Sequence, residues 1–97
     1  MKFETVINLN QLTDSMEKTG MNQKKQREIL LRLLLITATK DTAPIQIASD
    51  RRHVIITVFG HIGISTVNLC QGDTFNKDIG ICIALTKLNN SLKGEKQ

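Results

Sequence analysis

The alternation of apolar and polar positions is sharpest between Arg51 and Leu88. There Val54, Ile56 and Val58 alternate with Ile55, Thr57 and Phe59, the two-residue period of a β-strand. Gly60 and Gly63 bracket a short turn, and the strand pattern resumes over residues 64–69. After the polar break Gln71-Gly72-Asp73 a helix opens near Asn76 and carries Ile79, Ile83, Ala84, Thr86, Lys87 and Leu88. Gly80 and Ala84 put two small side chains on one face of that helix, beside Ile79, Ile83 and Leu88, so its backbone can approach the surface it packs on. Phe75 is placed to cover the end of the core, and Asp73 suits the turn before it.

Upstream the pattern is helical. Phe3, Thr5 and Ile7 fall on one face of a short strand, and from Asn10, an N-cap, Leu12 and Met16 form the thin apolar stripe of a surface helix that Gly20 ends. A second helix runs from Gln23 to about Ala38, capped by Asn22 and free of glycine and proline. Its first half is polar. In its second half Ile29, Leu30, Leu31, Leu33, Leu34, Leu35 and Ile36 surround the helix, with Arg32 the one charged gap. A helix apolar all round is expected to be buried all round. Two readings follow: it lies between the sheet and the first helix, or its outer face (Leu30, Leu31, Leu34 and Leu35) packs against a second copy, most simply in a dimer. Residues 36–39 read as either helix or strand. A short strand over residues 45–48 and the polar turn Ser49-Asp50-Arg51-Arg52 lead into the hairpin.

This order predicts an α+β fold: a small antiparallel β-meander with helices packed on one face. The chain reads as one domain over residues 1–97, with a helical part at 1–44, the meander and final helix at 45–92, and a tail at 93–97. Composition agrees, at 40% hydrophobic and 23% charged with a single proline, which is globular rather than disordered. With only three aromatics, all Phe, the core falls to Ile, Leu and Val.

Charge and cysteine usage narrow the chemistry. The net charge of +4 permits an anionic partner without demanding one. No signal-peptide core follows Met1-Lys2-Phe3-Glu4, and the apolar run at 29–36 is too short to span a bilayer, so no membrane contact is expected. Cys70 and Cys82 form neither a disulfide framework nor a CxxC pair, which predicts a reduced, cytoplasmic protein. His53, His61, Cys70 and Cys82 lack the close spacing of zinc ligands, so neither a metal nor a cofactor is expected. There is no G-x-S-x-G elbow. Asp73 and Asp78 form a nominal acid pair, but Asp78 suits the first turn of a helix, where a carboxylate meets the positive end of the dipole. The chain therefore reads as a non-enzyme.

Binding residues are the remaining candidates. Gly60-His61-Ile62-Gly63 spells a GxxG loop, but it joins two apolar strands, where a hairpin turn accounts for the glycines. Arg51, Arg52 and His53 at the hairpin, with Lys24, Lys25 and Arg27 on the second helix, could form a phosphate-binding patch. The absence of Tyr and Trp removes the usual base-stacking platforms for single strands and leaves a duplex read by shape.

Gly63-Ile64-Ser65, Cys70, Asp73-x-Phe75, Gly80, Ile83-Ala84 and Lys87 together resemble small proteins carried by phages and prophages of Gram-positive bacteria. The same arrangement is similar to a hairpin-plus-helix module of small actinobacterial proteins, whose sheet and helix look like a double-stranded RNA-binding fold. The likeness leaves Met1 to Ala48 outside it. It implies a protein at work in a bacterial host cell. Two functions compete: an inhibitor or modulator of a host system such as a defence nuclease, and a nucleic-acid-binding module using the basic residues above. One continuous basic face would favour nucleic acid; an exposed apolar patch on the Leu-rich helix would favour a protein partner.

Overall fold

A computed structural model describes residues 2–6, 8–39 (backbone only at 37–39), 45–58, 60–66 and 76–94. The elements are β1 (Glu4–Thr5), α1 (Asn10–Lys18), α2 (Gln23–Thr39), β2 (Gln46–Ser49), β3 (His53–Val58), β4 (His61–Thr66) and α3 (Lys77–Leu92). The strands form one antiparallel sheet in the order β1-β2-β3-β4. This is the expected α+β fold. α3 lies across β3 and β4, and α1 and α2 pack on α3. Residues 36–39 are helical, because the Leu-rich run continues α2 without a breaker.

Alternation in β3 builds the core, with Val54, Ile56 and Val58 turned to the helices and buried. Opposite them in β4 stand Ser65, Gly63 and His61. Gly63 therefore lies within the strand and does not bracket the turn. Val58 pairs with His61, and in the turn that joins them Gly60 has φ +77°, in the region that glycine adopts without steric cost. Leu69, Cys70, Asp73 and Phe75 fall outside the described residues.

α3 opens at Asn76 as expected, and the Asn76 side chain caps it, its oxygen accepting the N–H groups of Asp78 and Ile79 at 2.9 and 3.2 Å. Its sheet-facing side is Gly80, Ala84 and Leu88, all buried. Ile79 and Ile83 do not share that face. Each precedes a buried small residue by one position, about 100° around the helix, and both are exposed. A Cβ on Gly80 would lie 2.7 Å from the Val54 Cγ2. Gly80→Leu should therefore cost about 1–3 kcal/mol by overpacking, read as a lowered melting temperature. An unchanged melt would mean that this seam is not tight.

α1 begins at Asn10 itself. Leu9 holds the cap position without a side-chain cap, and two residues before the helix the Asn8 side chain accepts the Asn10 N–H at 2.9 Å. Leu12 and Met16 are buried, and Gly20 ends the helix at φ +75°. Ser15 and Thr19 on the same helix reach α3: the Ser15 hydroxyl donates to Asp78 at 2.9 Å and the Thr19 hydroxyl meets the Cys82 sulfur at 3.0 Å. Asp78 thus serves α3's first turn and anchors α1.

Candidate protein-interaction surface

α2 is not buried all round. Gln26, Ile29 and Leu33 face the core, while Leu30 and Ile36 sit half-buried at its border. Leu31, Leu34 and Leu35 are 60%, 51% and 67% exposed. Leu30 is thereby set apart from the other three leucines of the expected interface. The helix also does not lie between sheet and first helix, because it packs on α3. Among the described residues, no further element packs on its far side.

A polar network holds α2 in that rotation. Asn89 on α3 is only 2% exposed. Its side-chain oxygen accepts from Arg32 Nε at 2.9 Å, and its NH₂ donates to Glu28 Oε2 at 2.7 Å. Lys93 Nζ stands 3.0 Å from the same carboxylate oxygen. Near the start of the helix, Gln26 Nε2 donates to the Met21 carbonyl at 2.7 Å. Rotating α2 to bury its leucines would strip Asn89 of both partners, and an unsatisfied buried amide costs about 1–3 kcal/mol. Glu28 and Arg32, one turn apart within an apolar helix, were the sequence signal for this network.

Glu28 carries a pH signature. The Lys93 ammonium, then the Asn89 amide, hold its carboxyl below its ordinary value. A carboxylate depressed in the folded state stabilises above its unfolded pKa, and that contribution is lost as pH falls through the folded value. Stability should decline as pH drops below roughly 4.3, the ordinary glutamate value, and Glu28→Gln should show a shallower decline over that window. Parallel acid-unfolding curves for the two proteins would remove this role.

The basic candidates divide. Lys24 and Arg27 are exposed on the leucine side of α2, since positions 24, 27, 31, 34 and 35 follow one helical stripe. Lys25 turns toward α3, 4.0 Å from Glu28 Oε2. Arg51 and Arg52 are exposed in the β2–β3 turn. That turn is tied by Asp50, whose carboxylate accepts the Arg52 and His53 N–H groups at 2.7 Å and stands 3.2 Å from His53 Nδ1. These contacts, the Arg52 N–H first, hold the Asp50 carboxyl below its ordinary value. The turn adjoins the Val54–Ser65 row beneath Gly80, in the first turn of α3. Lys24 and Lys25 border a groove with Thr86 and Lys93 at the other end of that helix. From Gly80 to Lys93 the axis advances about 20 Å. Arg51, Arg52 and His53 thus lie near the N-terminal end of α3, and Lys24 and Lys25 beside its C-terminal half.

The groove beside Lys24 measures about 520 Å³ and is lined by Met21, Asn22, Lys24, Lys25, Glu28, Thr86 and Lys93. A second groove of about 340 Å³ mixes Glu4, Asp14 and Asp78 with Lys18 and Lys77, so its charges offset one another. The histidines lie apart: His53 pairs with Thr66 at one end of the hairpin, and His61, at the other, contacts Ser91 Oγ at 2.8 Å. Cys82 is buried under α1, and burial pushes its thiol pKa up, away from the reactive thiolate. Among the described residues there is no metal-ligand cluster, and no helix is long and apolar enough to cross a membrane.

Ile62 and Ile64 are also exposed, on the sheet face away from the helices. Ile64 stands opposite Ile55 there, and β-branched residues suit exposed strand positions through such cross-strand contacts. The leucine stripe of α2 has no such local explanation, since Lys, Glu or Gln would serve a solvated helix surface equally. No family model, curated protein or solved structure matches this chain.

Proposed function

We propose that this protein is a non-enzymatic interaction protein that acts by binding another protein through the outer side of α2. The observation that carries the reading is the exposure of Leu31, Leu34 and Leu35 on a helix whose rotation is held by hydrogen bonds to the buried Asn89. Apolar patches of this kind, rimmed by charge, mark interaction sites. The separation of Lys24, Lys25 and Arg27 from Arg51 and Arg52 weighs against a nucleic-acid duplex, which needs its cations along one surface. With the resemblance to phage proteins, the partner is a protein of the bacterial host, and the outcome of binding is inhibition or modulation of a host system.

The test uses the tagged protein and its Leu31→Ser/Leu35→Ser variant, with host lysate treated with nuclease or left untreated. The expected result is one host protein retained after nuclease, lost by the variant, and rebound when purified. Retention that depends on intact nucleic acid would overturn the reading in favour of a nucleic-acid-binding module.

A further inference from the structure

Resting on that reading, we infer the chemistry of the partner: the α2 surface takes an amphipathic segment whose acidic first turns precede a run of apolar side chains. The stripe has two halves. Leu31, Leu34 and Leu35 form its apolar end, and Arg27 and Lys24 its cationic end, which opens into the groove carrying Lys25 and Lys93. Lys24 and Arg27 form no ion pair among the described residues. Glu28, the nearby carboxylate, is already engaged by Lys93 and Asn89.

The position of these cations adds to the argument. The first turn of α2 contains no acidic residue, so Lys24 and Lys25 stand at the positive end of the helix dipole, where cations are disfavoured. A carboxylate supplied by a partner would relieve both unfavourable terms. Carboxylates also stabilise the first turn of the partner's own helix, which sets their order before the apolar residues. A second copy of this chain fits less well. Two such stripes would bury leucines together but bring no carboxylate to Lys24 or Arg27.

The experiment uses fluorescence anisotropy with the full chain and three synthetic helical peptides. Each has apolar leucines at i, i+3, i+4 and i+7, preceded by turns rich in Glu, Gln or Lys. The Glu peptide should bind about tenfold more tightly than the Gln peptide, the scale of two surface ion pairs, with the gap closing as salt rises. Lys24→Glu/Arg27→Glu should reverse the order in favour of the Lys peptide, and Leu31→Ser/Leu35→Ser should abolish binding of all three. Equal binding of the Glu and Gln peptides, or no peptide binding, overturns the inference. The proposed function survives that failure if the leucine variant still loses its host partner, and fails with it if the variant keeps that partner. A concentration-dependent dimer in light scattering, dispersed by the leucine variant, would place a second copy on the surface and overturn the inference too.

Discussion

Gly63→Ala should lower the melting temperature by at least about 12 °C, from a destabilisation of about 3 kcal/mol or more. Gly63 stands opposite Ile56 on the helix-facing side of β4. A Cβ there would fall on the carbonyl oxygen of Ala84 and lie 2.9 Å from the Leu88 nitrogen. Both are backbone atoms of α3 and cannot rotate aside as a side chain would. α3 would have to lift from β4, loosening Leu85 and Leu88, which are buried to within 1%. Gly60→Ala is the control: open space surrounds that position, and only its positive φ is strained, at about 1–2 kcal/mol. Thermal melts by circular dichroism check the ranking. A larger loss at Gly60 would mean that the turn, and not the helix–strand seam, limits stability.

Leu33→Lys should abolish folding, whereas Leu34→Lys should leave the domain folded. The sequence treats these neighbours alike, but they point about 100° apart on α2, and they are 1% and 51% exposed. At Leu33 the substitution forfeits about 2–5 kcal/mol of packing and places an ammonium where no partner can compensate it. Domains of this size hold only about 5–15 kcal/mol in total. At Leu34 the change should stay within about 0.5 kcal/mol, as for other surface positions. Urea unfolding of both variants decides the matter. A Leu34→Lys protein as unfolded as Leu33→Lys would mean that α2 sits in a different rotation.

The α+β architecture, the caps at Asn22 and Asn76 and the extent of α2 were legible along the chain, because each depends on neighbours within a few residues. The Asn22 side chain, for example, accepts the Lys24 N–H at 2.8 Å. The role of Gly63 was not legible. A glycine between His61-Ile62 and Ile64 looks like turn chemistry until α3, some twenty residues on, is seen pressing its backbone against it.

The same division governs the candidate site. Along the chain it can be read that α2 is apolar around most of its circumference, and which leucines and cations lie along it. The sequence by itself could not determine which arc of that helix faces out, because seven apolar residues around the circumference make the rotations nearly equivalent in burial. The rotation is set by packing against α3, through Asn89. A buried amide must keep its hydrogen bonds, and the Arg32 and Glu28 that satisfy it turn Leu31, Leu34 and Leu35 to the outside.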